Sequence, residues 1–136
     1  MFRLLRNINA NRINNIRNNI NIRNINTTRI LKNRFVNDSE EWFIDYKDHT
    51  LVGITQKAIE EMNEIVYLDF EVEKQNKVEK DDEIVTLESI KSVESIRAPY
   101  DCIILDTNNE LEENLDILNN NPDSETESWI VKLKKI

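Results

Sequence analysis

The sequence predicts a mainly β fold, a sandwich or flattened barrel of short strands with two short helices. Three observations predict it. Short runs rich in aromatic and β-branched residues recur along residues 41–135, the connections between them are brief, and only two segments switch to a helical rhythm. No internal repeat of 20–50 residues competes with that reading.

The 136 residues suggest one domain plus an extension, and charge marks the division. Residues 1–36 hold seven arginines and Lys32 without any Asp or Glu, a charge of +8. With −8 overall, residues 37–136 carry −16, from 10 Lys and Arg against 26 Asp and Glu. Roughly 100 residues are enough for one core. An acidic domain is poorly suited to nucleic acid, whose phosphates need Lys and Arg, and is steered instead toward basic partner surfaces. Cys102 is the only cysteine, so no intramolecular disulfide forms, which fits a reducing compartment. His49 and Cys102 lie far apart and supply no zinc set. Nothing approaches the roughly 18 consecutive apolar residues of a membrane span.

Residues 1–36 are dominated by Asn, Ile and Arg. In MFRLLRNI, Phe2, Leu5 and Ile8 share a helical face flanked by Arg3 and Arg6. An Arg-rich, acid-free N-terminus reads as an organelle transit peptide, of the mitochondrial matrix or of another organelle such as a plastid. Low-complexity filler and a basic arm for anionic surfaces are the competing readings. In each case the segment is expected to be disordered or only locally helical.

The domain, residues 37–136, divides as follows. EWFIDY at 41–46 and TLVGI at 50–54 are strands joined across Lys47-Asp48-His49. Gly53, the only glycine, predicts a bulge or a close backbone approach. In TQKAIEEMNE at 55–64, Thr55 is an N-cap, Ala58, Ile59 and Met62 share a face, and Asn63 ends the helix in the left-handed region. EIVYLDF at 64–70 is a strand, and 71–83 is a charged loop with a short edge segment around Lys77 and Val78. IVTLES at 84–89 and SVESIR at 92–97 form a hairpin with Lys91 at its tip, stopped by Ala98-Pro99. CIILD at 102–106 is a strand. Leu111, Leu115 and Leu118 place one helix over 109–118. A polar loop follows, and WIVKLKK at 129–135 closes the domain as a strand with Trp129, Val131 and Leu133 on one face. Trp42 and Trp129 read as core residues.

On residue type alone, Lys91 is a solvent-pointing charge of the kind that protects strand edges. A lysine on a narrow hairpin is also what a covalent carrier needs, because an acyl arm is joined as an amide to its ε-nitrogen and arginine offers no such nitrogen. In that setting Ile90 and Val93 would anchor the turn, while Ser89 and Ser92 keep its approach small.

Six blocks in order decide between these readings. They are SEEW at 39–42, VGIT at 52–55, AIEEMNEIVYLDF at 58–70, LESIKSVESIRAP at 87–99, NNELEENLDILN at 108–119 and ESWIVKLK at 127–134. Through them residues 39–134 resemble the H protein of the glycine cleavage system, a lipoyl carrier family. The family's E-S-V-K-A motif is similar to Glu88-Ser89-Ile90-Lys91-Ser92, with Pro99 in the matching place. The resemblance implies a barrel-sandwich hybrid fold, lipoate joined covalently to Lys91 by a ligase or lipoyltransferase, and no catalytic residues of its own. It implies a shuttle: the arm takes the aminomethyl group of glycine from the pyridoxal-phosphate-dependent P protein to the tetrahydrofolate-dependent T protein, and dihydrolipoyl dehydrogenase, the L protein, reoxidises it. Ser39 and Glu41 match the family's His-Glu-Trp region beside the loaded arm and would contact the amine. Glu88 flanks the lysine, either for ligase recognition or as ordinary surface charge. A relay that passes lipoate to other enzymes shares Lys91 and is the alternative function. Biotinyl and acyltransferase lipoyl domains favour Met or Asp next to the lysine, where this chain has Ile90 and Ser92.

The departures from the family pattern are Glu40 for histidine, Asn63 and Ser128 for glycines, no glycine near Cys102 and no proline before Leu115. Lost turn glycines are expected to cost stability.

Overall fold

Continuous apolar runs along 41–54 build a hairpin that is buried on both of its faces. The structure, a computed structural model, describes residues 33–136. Nine strands run β1 (Asn33–Val36), β2 (Glu41–Asp45), β3 (Thr50–Ile54), β4 (Ile65–Phe70), β5 (Lys77–Val78), β6 (Glu83–Ser89), β7 (Val93–Arg97), β8 (Cys102–Thr107) and β9 (Val131–Lys135). The helices are α1 (Gln56–Met62), α2 (Glu110–Glu113) and α3 (Leu115–Asn120). The fold is mainly β, with two antiparallel sheets, one of six strands in the order β1-β2-β3-β9-β8-β5 and one of three in the order β4-β6-β7.

The main core lies between the sheets. Phe43, Val52, Val131, Leu133 and Ile104 of the larger sheet meet Leu68, Val85, Leu87 and Ile96 of the smaller, and Ile59, Leu111 and Leu118 close the ends. A second cluster of Trp42, Ile44 and Leu51 sits on the other face of β2 and β3, with Tyr46 and Trp129 packed against it. Trp42 pairs across the hairpin with Gly53, and a Cβ at Gly53 would collide with the indole. The lone glycine therefore marks a close approach, and the β2–β3 register runs through it without a bulge. The indole Nε1 donates to the Pro122 carbonyl at 3.0 Å, which holds the 121–128 segment over this cluster.

Thr55 caps α1, its Oγ1 accepting from Ala58 N at 3.1 Å, and Asn63 ends it at φ 79°, as its residue type predicts. The two-residue strand β5 falls where the edge segment is expected.

Several expectations are corrected. Residues 33–36, placed with the extension by charge, form β1. Arg34 pairs with Asp123 at 2.7 Å and covers the Trp42 ring at 5.0 Å, so the domain starts before the charge boundary. The remainder of 1–36 lies outside the described residues. The single helix expected over 109–118 is two short ones. Asn114 is extended (φ −141°, ψ 82°), and the break lets Leu111 and Leu118 both reach the core. After the break Asn119 clasps the Ile65 backbone, accepting from its N–H at 2.9 Å and donating to its carbonyl at 3.0 Å. At the last strand, Ile130 and Val131 are both fully buried while Trp129 is only partly buried, so the alternation starts at Val131, two residues late. Ser128 avoids positive φ, is fully buried, and its one hydroxyl proton lies within reach of the Asn121 carbonyl at 2.6 Å and that of Ile117 at 3.2 Å.

Candidate functional site

Ser89 makes the hairpin tip. Its N–H donates to the Ser92 carbonyl at 2.9 Å, and its Oγ accepts from Lys91 N at 3.0 Å and Ser92 N at 3.1 Å. A hydroxyl that ties up two turn N–H groups holds a narrow loop without glycine. Ser89 is thus the organiser of the turn and not merely a small side chain. Ile90 and Val93 do not anchor it: they are 81% and 63% exposed, because the tip projects beyond the sandwich.

Lys91 is exposed on this tip, and its Nζ donates to the Glu61 carbonyl at 3.1 Å. That carbonyl belongs to the last turn of α1, where backbone acceptors have no intrahelical partner and the helix end is negative. The free lysine therefore lies across the end of α1.

Beside it opens a cleft of about 280 Å³ between the β1–β2 turn, α1 and the β6–β7 hairpin. Ile54, Ala58, Met62, Leu87 and Ile96 give it an apolar floor, and Ser39, Glu41, Glu61, Ser92 and Glu94 are among its polar lining. Glu41 lies on the core-facing side of β2 with Phe43, at the strand's end, where the residue is 8% exposed and lines the cleft. Burial pushes its pKa above the ordinary value, and the Asn37 Nδ2–Oε1 bond of 2.9 Å opposes that only in part. Among the described residues no cationic side chain pairs with it. A buried carboxyl that opens into a cleft without a counter-ion is suited to holding a cation brought from outside.

The structure brings together Ser39, Glu41 and the turn of Lys91, through Ser92, in one cleft. Glu88 is not in it. It stands half-buried on β6 between Tyr67 and Val93 of the neighbouring strands, on the face turned away from the core-facing Leu87. Glu40, in the family's histidine position, takes φ 62° and is tied to α1: its carboxyl accepts from Thr55 Oγ1 at 2.8 Å and faces Lys57 at 3.7 Å. Sequence reasoning missed three contributors. Asn37 organises the β1–β2 turn, its Oδ1 accepting from Ser39 N and Glu41 N at 3.0 Å each, and the turn-forming run Asn-Asp-Ser was its signal. Glu94 faces the cleft, and Glu61 acts through a main-chain carbonyl that no residue pattern reveals. Among the described residues no group of three or more His, Cys, Asp or Glu is placed to hold a metal, and no helix is long and apolar enough to cross a membrane.

Fold and site together define a class: a small two-sheet β domain that presents one lysine on a serine-tied hairpin beside an acid-lined cleft. The profile of the glycine cleavage H-protein family matches residues 33–136, and the chain belongs to that family. Among its relatives, the probable glycine cleavage system H protein of Picrophilus torridus is 32% identical over 107 residues, covering 79% of this chain and 83% of that protein. The glycine cleavage system H protein of Thermus thermophilus is 34% identical over 105 residues, covering 77% and 80%. The crystal structure of a glycine cleavage system H protein from Mycobacterium marinum superposes with a TM-score of 0.67 at 20% identity, over 75% of this chain and 83% of that one, a likeness of fold.

Proposed function

We propose that the chain is a non-catalytic carrier that bears lipoate as an amide on Lys91 and moves the aminomethyl group of glycine between the P and T proteins of the glycine cleavage system. Reoxidation falls to the L protein, and a ligase or lipoyltransferase attaches the group. The observation that carries this reading is the placement of Lys91 beside a cleft whose floor is apolar and whose rim holds the buried carboxyl of Glu41, which has no cationic partner among the described residues. Those surroundings fit the group, since its hydrocarbon chain suits the apolar floor and an amine on its far end suits the acids. When bound, lipoate supplies a dithiol that carries the one-carbon unit on sulfur.

The chain's own residues have separate tasks. Ser89 fixes the hairpin so that Lys91 projects from a rigid base. Glu41, aimed by Asn37, accepts hydrogen bonds from a cationic amine and draws it out of water, with Ser39 beside it on the rim. The apolar floor limits water around the cargo. The acidic surface favours fast, salt-sensitive encounters with basic partner faces, which suits a carrier that must leave each partner. The arginine-rich, acid-free N-terminal residues support delivery to mitochondria, and a reporter fused to residues 1–36 tests that, diffuse cytosolic signal being the contrary result.

The carrier reading is tested by glycine-dependent exchange of labelled bicarbonate with a purified P protein. The lipoylated chain is expected to support exchange and the Lys91→Arg chain to support none. Absence of exchange with the lipoylated chain, while a known active H protein works in the same assay, would count against glycine cleavage.

A further inference from the structure

We propose that the outer face of the lysine hairpin, centred on Tyr67, Val93 and Ile90, is the docking surface for the enzyme that acylates Lys91. The proposal rests on the carrier reading of Lys91 and names the partner surface of that site.

Exposed apolar area is concentrated there. Among the described residues seven large hydrophobic side chains are exposed, and four of them, Val66, Tyr67, Ile90 and Val93, lie on β4 or on the hairpin of Lys91. Register places Tyr67 opposite Glu88 and Glu88 opposite Val93, so the three share one face across β4, β6 and β7. The neighbouring row, Leu68–Leu87, points into the core. Ile90 is 81% exposed at the turn, gains no burial there, and stands next to the lysine. An apolar patch that the fold itself does not use marks an interaction surface.

Geometry and charge select the occupant. An acylating enzyme must bring its reacting carbonyl to Nζ itself, four methylenes from the backbone, so it cannot avoid the residues beside the tip. Enzymes acting on the far end of an attached arm have no such constraint. The neutral amine attacks the carbonyl carbon of an acyl-adenylate, the amide C–N bond forms, the C–O bond to phosphate breaks, and adenylate leaves with that electron pair while the amine loses a proton to solvent. Exposed Glu64 and half-buried Asp69 border the row, which fits an enzyme face with an apolar centre and a basic rim. Approach from this face also leaves the cleft on the other side of the sheet free to receive the finished arm.

The test is steady-state acylation of the full apo-chain by a purified lipoate–protein ligase with lipoate and ATP, read by intact mass. Tyr67→Ser/Val93→Ser and, separately, Ile90→Ser are expected to lower kcat/KM about tenfold, chiefly through KM, as loss of interface anchors does. Ile136→Ser, an exposed apolar residue at the other end of the chain, is expected to stay within about twofold, since surface changes outside an interface are near neutral. Thermal melting shows that each variant is folded, and chemical acetylation of Lys91 by a small reagent is expected to be unchanged. Wild-type KM in both hairpin variants, or a fall in kcat alone, overturns the docking surface and leaves the carrier reading standing. Failure to acylate the unaltered chain, with the ligase active on a control substrate, overturns the carrier reading and this surface with it.

Discussion

Asn37 and Glu41 are bonded in both directions: Asn37 Nδ2 donates to Glu41 Oε1 at 2.9 Å, and Asn37 Oδ1 accepts from the Glu41 N–H at 3.0 Å. One turn residue thus fixes both the backbone and the carboxyl of the buried acid at the cleft rim.

That acid is held at a cost, with a sign that can be measured. Burial raises the folded-state pKa of Glu41 above its ordinary value of 4.5. Between the two values the folded chain binds a proton that the unfolded chain has lost, so stability falls as pH rises through that window and stays lowered above it. Glu41→Gln keeps the acceptor for Asn37 and removes the cost. Its melting temperature should exceed wild type at pH 7, with the gain fading as pH falls through that window and gone below about 4.5. Equal or lower stability at pH 7 would refute the buried-charge account of the rim.

Gly53 admits the Trp42 indole, which would meet any Cβ there. Gly53→Ala should destabilise the fold by about 1–3 kcal/mol through overpacking, read by urea denaturation. A neutral result would mean that the outer cluster yields easily.

Asn63 closes α1 at φ 79°, where glycine has no steric penalty. Asn63→Gly should stabilise by up to ~1 kcal/mol, and Asn63→Ala should destabilise by ~1 kcal/mol or more. Calorimetry on the pair separates backbone strain from side-chain effects, because the two changes are expected to have opposite signs.

These residues also show what the chain discloses in advance. Strands with aromatic and β-branched runs, such as 50–54, were legible to the residue, and Thr55 and Asn63 announced the ends of α1 by their chemistry. Charge misplaced the start of the domain because Arg34, one of the basic residues, serves the fold by covering Trp42. The two strand runs at 84–89 and 92–97 locate the hairpin but not how far its tip projects, and Ile90 and Val93 look like anchors only from sequence. Asn114 breaks a helix whose leucine spacing looked continuous, since only the packed end shows where Leu111 and Leu118 must both point. Of the site, the family motif supplied Lys91, Ser39 and Glu41. Asn37 and the Glu61 carbonyl emerge only once the turn and the helix end are brought together.

Attachment of the arm to Lys91 is read from intact mass with fragmentation of protein from cells that actively attach lipoate. The expected result is added mass equal to one lipoyl amide, located on Lys91 and absent from Lys91→Arg. An unmodified Lys91 in such cells, or a lipoyl group on another lysine, would contradict it.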